Sequence, residues 1–206
     1  MDVQGKRREL EELRDRARQL ELELDQAALE VWRPTGYYTM YYATTGFMLG
    51  IFGAAASLLF NIVGSLFVGQ HPLELIRVYL TFPLGDSALQ TDTGLALAVG
   101  CCLYLATGML LGIPFYLVLT WITPNSSLST RLVVVTVLSL AVWVINFYGI
   151  LWWLQPLLID MQPENEIVRR IPPWVAALTH LVFGWTMALV YPWGLYVPYR
   201  RPTEQS

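Results

Sequence analysis

The sequence predicts an all-α membrane protein. A bundle of four transmembrane helices fills residues 34–199, a cytoplasmic heptad-patterned helix precedes it over 1–33, and a short tail, 200–206, follows. Three observations lead there. Of 206 residues, 55% are hydrophobic and only 14% charged, and the mean hydropathy of +0.45 is too high for an ordinary soluble domain. Four stretches, 41–68, 93–121, 131–154 and 174–194, are each long enough, at ~1.5 Å rise per residue, to cross or nearly cross a hydrocarbon core of ~30 Å. Aromatic residues stand at their ends, as Trp174, Tyr191 and Trp193 do around the last, where amphipathic rings anchor a helix at headgroup level.

The N-terminal segment carries the most regular soluble pattern. Leu10, Leu13, Ala17, Leu20, Leu24, Ala27 and Val31 alternate spacings of three and four, a heptad a/d seam. With Leu10 at position a, a parallel in-register dimer would pair Glu9 with Arg14 and Arg16 with Glu21 across the seam, opposite in sign both times. The alternative is a lone amphipathic helix lying on the membrane or on a larger partner, which Leu22 and Leu29, off the seam, keep open. Arg33-Pro34 ends the helix, because proline disfavours helical geometry in the residue before it. These thirty residues are too charged for a secretory signal peptide, so insertion is expected to rely on the internal apolar segments.

Tyr37, Tyr38, Tyr41 and Tyr42 form an interfacial belt ahead of the first span. Within that span Gly46, Gly50, Ala54, Ser57, Asn61 and Ser65 recur every three or four residues, a stripe of mostly small residues that lets helix backbones approach closely in lipid. The link 71–92 reads as a short helix lying flat at the interface: Pro72 suits its first turn, Leu73, Ile76, Tyr79 and Leu80 share an apolar face, and Glu74, Arg77 and Thr81 lie opposite. Pro83-Leu84-Gly85 then turns the chain back.

The second span carries Gly94, Ala98, Cys102 and Ala106 as a small-residue stripe, and Pro114 is expected to kink it. The polar link 123–130 is short enough to make the third span antiparallel and adjacent. Trp152 and Trp153 close the third span, and an acidic link with Arg169 and Arg170 leads to Pro172-Pro173 and the fourth. With both termini inside, the inner side carries ten basic residues and the outer side only Arg77, Arg169 and Arg170. That bias predicts a multi-pass protein of a cell's inner membrane with cytoplasmic N- and C-termini.

Counting ~1.5 Å per residue from the outer boundaries brings four polar positions to a similar depth. His180 lies ~9 Å in, Asn61 ~10 Å, Cys101/Cys102 ~11 Å and Asn146 ~12 Å. Each span thus contributes one polar or soft side chain to a layer in the outer half of the bilayer. His180 shares a stripe with Ala176, Gly184 and Ala188 and so faces other helices. One reading of the layer is structural, with polar groups hydrogen-bonding across helices at ~0.5–2 kcal/mol each. The other is functional, since an ionisable group inside a membrane marks a site by default. It comprises handling of a proton or ligand by His180 with Asn146 and Asn61, or haem or metal ligation by His180 with His71. Two histidines without a fixed spacing define no metal geometry, so no cofactor is expected. The vicinal cysteines read as small buried hydrophobes.

No Gly-x-Ser-x-Gly elbow, His-Glu-x-x-His motif, phosphate-binding glycine loop or intramembrane carboxylate pair is present, and no basic stripe offers a nucleic-acid surface. The wording His180-Leu181-x-x-Gly184, running on to Tyr191-Pro192-Trp193-Gly194, resembles the closing helix of small four-span bacterial membrane proteins of unassigned function. The resemblance covers about a tenth of the chain, and it extends to accessory products found beside haem–copper oxidases. It implies an accessory or assembly role in a respiratory complex. The expectation is therefore a non-enzymatic protein acting by helix association. It would contact the lipid bilayer, and itself or a partner protein through the N-terminal helix, and would pack its spans at Gly46, Gly50, Ser57 and Gly184. The alternative is a small carrier or a haem- or metal-binding protein built on the layer around His180.

Overall fold

The computed structural model describes residues 3–30, 35–67, 69–154 and 171–195. Among these, helix is the one kind of regular structure, joined by short turns, with no strand. The chain divides into two units, Met1–Tyr38 and Thr39–Ser206.

The first unit holds α1 (Val3–Glu30), continuous over the predicted heptads. Leu10, Leu13, Ala17 and Leu20 of the seam are exposed, as is Leu22 beside it. Leu24 and Ala27 lie further along the same helix, whereas Val31 and the Arg33-Pro34 stop fall outside the described residues.

The second unit contains nearly all of α2 (Thr35–Phe67), then α3 (Glu74–Leu84), α4 (Gly94–Ile122), α5 (Leu128–Val144) and α6 (Pro173–Val190). Four helical stretches, Tyr38–Phe67, Gly94–Ile122, Leu128–Leu151 and Pro173–Gly194, are long and apolar enough to cross a membrane, which gives the chain the architecture of a multi-pass membrane protein. The 29 residues of α4 rise ~44 Å, more than a ~30 Å hydrocarbon core, so it protrudes or tilts. Leu59, Val63, Leu95, Leu110, Val133 and Val137 point outward, a surface suited to lipid.

Local chemistry sets the helix ends. α2 gives way at Gly69, whose φ of 68° lies in the left-handed region that other residues avoid, and Gly85 (φ 63°) ends α3 in the same way. Ser127 caps α5 by accepting the N–H of Thr130, and Pro173 opens α6, where a missing N–H costs nothing.

The α2–α4 crossing is backbone on backbone. A Cβ added at Gly46 would stand 2.6 Å from the Tyr116 Cβ and 2.7 Å from the Gly112 carbonyl oxygen, and one at Gly50 2.5 Å from the Gly108 oxygen. The glycine hydrogens that occupy those directions therefore meet carbonyl oxygens, contacts of ~0.5–1 kcal/mol each. Gly184 plays the same part for α6, close against Ser139 and Val135 of α5. The α4 stripe Gly94, Ala98, Cys102 and Ala106 does not pack: all four are exposed. The inward row is Gly100, Tyr104, Gly108 and Gly112, because hydrogen in place of a methyl group is what admits a second backbone. α4 continues as helix through Pro114.

At one end of the bundle the Tyr116 hydroxyl donates to the Tyr191 carbonyl (2.9 Å), and the Arg131 guanidinium lies 4.4 Å over the Tyr191 ring. At the other, α3 and the 3₁₀ turn Gly85–Gln90 form a tight hairpin. Ile76 and Leu80 pack on Gly100, and Val78 and Leu89 cluster with Leu151 and Ile171. The helix is therefore buried on more than the predicted apolar face. Thr81, expected opposite that face, is fully buried, and its hydroxyl donates to the Val78 carbonyl at 2.6 Å. A second apolar surface, Leu151 of the π-helix and Ile171 just ahead of α6, packs on α3 at Val78.

Candidate functional site

α5 does not end where its α-helical geometry stops. Ile145–Leu154 continue as a π-helix, a wider winding that recurs at functional sites, and Asn146 is its second residue. Beside it lies a cavity of about 650 Å³, within the range of small-molecule sites. Five elements of the second unit contribute to it: Ala54, Ser57 and Asn61 of α2; Tyr79 and Phe82 of α3; Tyr104 and Thr107 of α4; Phe147 and Ile150 of the π-helix; Ala176, Thr179 and His180 of α6. No Asp, Glu, Lys or Arg is among the described residues lining it. Phe82 and Pro83 of α3 and Leu103 and Thr107 of α4 are its exposed members, so its rim runs between these two helices, bridged by a hydrogen bond from Tyr79 to Thr107.

Three of the predicted polar residues come together here. The Asn146 amide nitrogen is 3.1 Å from His180 Nε2, and His180 Nδ1 is 2.8 Å from the Ala176 carbonyl. Asn61 donates to Thr179 Oγ1 at 2.9 Å and to the Ser57 carbonyl at 2.8 Å. Because Thr179 and His180 are consecutive, α6 receives one amide from α2 and the other from α5 within a single residue step. Ser57 and Tyr104 join the system through a 2.7 Å hydroxyl–hydroxyl contact between α2 and α4.

The remaining predicted residues lie elsewhere. Cys101 is half-buried beneath α3, Cys102 is exposed, and neither lines the cavity, so depth counting put them in a layer that the helix rotation keeps them out of. The second span contributes Tyr104 and Thr107 in their place. His71 stands outside, its Nδ1 accepting the Leu73 N–H at 3.1 Å and its Nε2 3.7 Å from Asp92. The His180–His71 ligand pair is therefore not assembled, and among the described residues no three His, Cys, Asp or Glu side chains converge on a metal position. Sequence reading missed Tyr104, Thr107, Thr179 and Tyr79. For Tyr104 a signal existed, since it stands in the four-residue ladder from Gly100 to Gly108.

Comparison with protein-family models, curated proteins and solved structures returned no match.

Proposed function

We propose that the bundle is a non-enzymatic binding protein for a lipid-soluble small molecule, taken up in the cavity between α3, α4 and the π-helix. One observation carries this reading: an apolar cavity of about 650 Å³ that encloses a hydrogen-bonded polar wall within four membrane-spanning helices. Buried polar groups in such a setting fix the orientation of a ligand, while the apolar walls supply the affinity. The rim between Leu103, Thr107, Phe82 and Pro83 would admit the molecule sideways from the bilayer. We take the membrane to be a cell's inner membrane with both termini cytoplasmic, on the bias of basic residues.

Filling the cavity tests this directly. Ala176→Phe puts a ring into the space beside His180. Wild-type protein isolated in a gentle detergent should carry an apolar small molecule, detected by mass spectrometry of an organic extract, and the variant should lose it while staying folded. The ring enters open space, so a loss of stability no greater than the ~1–3 kcal/mol of overpacking is expected. An identical extract from both proteins would overturn the reading.

A second reading is favoured by the exposed Leu10, Leu13 and Leu20 on α1. On it the chain is an accessory or assembly subunit of a larger membrane complex, respiratory as the resemblance implies, and docks through that helix. Cysteines placed at 13 and 20 should then form crosslinks in membranes, to a second copy or to one partner. A chain that stays uncrosslinked and monomeric would exclude it.

A further inference from the structure

The polar atoms of the cavity divide by whether their protons are already committed. Ser57 Oγ donates to the Ala54 carbonyl at 2.9 Å, which leaves Tyr104 as the donor between the two hydroxyls. Thr179 donates to the Val175 carbonyl at 2.8 Å, Thr107 to the Leu103 carbonyl at 3.0 Å, and Tyr79 to Thr107. Asn61 uses both of its N–H groups, on the Ser57 carbonyl and on Thr179. The Ala176 carbonyl can only accept, so the His180 proton facing it sits on Nδ1, and Nε2 accepts from Asn146. One donor is left among the described lining residues, the second N–H of Asn146. Acceptors are in excess: the amide oxygens of Asn61 and Asn146 have no hydrogen-bond partner among the described residues, and the phenolic oxygens of Tyr79 and Tyr104 each keep a lone pair.

An anionic head would meet oxygen lone pairs with a single N–H to answer it and no cation on the wall. A hydroxyl fits, because it brings the proton that the wall lacks and no charge to desolvate. We propose that the cavity takes a neutral, largely apolar molecule whose polar end is a hydroxyl group, donating its one proton to the amide oxygen of Asn61 or of Asn146. This rests on the reading of the bundle as a binding protein and adds the chemical class of its ligand. The hydroxyl could belong to an aliphatic alcohol or to a phenol, and the test separates them.

The full chain in lipid nanodiscs is titrated with radiolabelled hexadecanol, dodecylphenol, hexadecyl methyl ether and hexadecanoate. The expected result is saturable binding of the alcohol or the phenol, the tighter of the two naming the source. The ether should bind ~10-fold more weakly, the factor for one lost hydrogen bond to a buried acceptor, and the carboxylate more weakly still. Removing both amide oxygens, with Asn61→Leu and Asn146→Leu together, should erase the difference between alcohol and ether, and either change alone should narrow it. The wild-type comparison stands without them should the variants fail to fold. Equal binding of alcohol and ether, or preference for the carboxylate, overturns the hydroxyl assignment and leaves the binding reading in place. Absence of saturable binding by all four overturns both.

Discussion

Gly112→Val should prevent α2 from seating on α4. A Cβ at this position would stand 2.7 Å from the Gly50 Cα and press on the Gly46 carbonyl, and both obstacles are backbone that no rotamer change can move. Overpacking of this kind costs ~1–3 kcal/mol where side chains can yield, so rigid backbone on both sides puts the loss at the upper end or beyond. Gly64→Val is the control, since nothing lies within 4 Å of a Cβ there. Thermal unfolding in detergent, followed through tryptophan fluorescence, should show the first variant strongly destabilised and the control unchanged.

Arg77→Ala should unfasten the α3 hairpin. Arg77 holds three groups: the Glu74 carboxylate at 3.4 Å, the Asp92 carboxylate, and the Thr91 carbonyl at 3.1 Å. The side chains of Arg77 and Glu74 are each only 13% exposed, so removal of the guanidinium breaks a largely buried ion pair together with the contact to the Thr91 carbonyl, a loss of up to ~3 kcal/mol. Asp92 is 76% exposed, and Asp92→Asn should cost under ~1 kcal/mol. Hydrogen exchange over residues 73–92 checks the contrast: fast in the arginine variant, near wild type in the aspartate one. Because α3 forms one wall of the cavity, ligand retention should fall with the arginine variant alone.

These two sites differ in how far the sequence announced them. The four apolar runs were legible because length and composition alone mark a membrane span, and Asn61, Asn146 and His180 stood out because polar groups in such runs are few. Their convergence followed from depth, which a rise of ~1.5 Å per residue makes countable. Rotation about the helix axis is harder to read. On α4 the small residues Gly94, Ala98, Cys102 and Ala106 gave a clean stripe, yet Gly100, Gly108 and Gly112 carry the contact, since small side chains suit either lipid or a neighbouring helix. Thr107 and Thr179 were silent because a threonine can satisfy itself on the carbonyl four residues back, as both do, and so sits unannounced in any apolar helix. The burial of Val78 against Leu151 and Ile171 depends on a second surface that no periodicity within α3 encodes. Nor did proline or glycine mark the start of the π-helix at Ile145.

The pairing of Asn61 with Thr179 and of Asn146 with His180 has a mechanical corollary. α2 and α5 are each registered against the same level of α6, so that helix serves as a common spindle for both. A screw motion of one residue along it, ~1.5 Å with a turn of ~100°, would release both amides in one event and carry the imidazole off the wall. Displacing α6 therefore strains both bonds together, whereas a shift of α2 or of the third span alone strains only one.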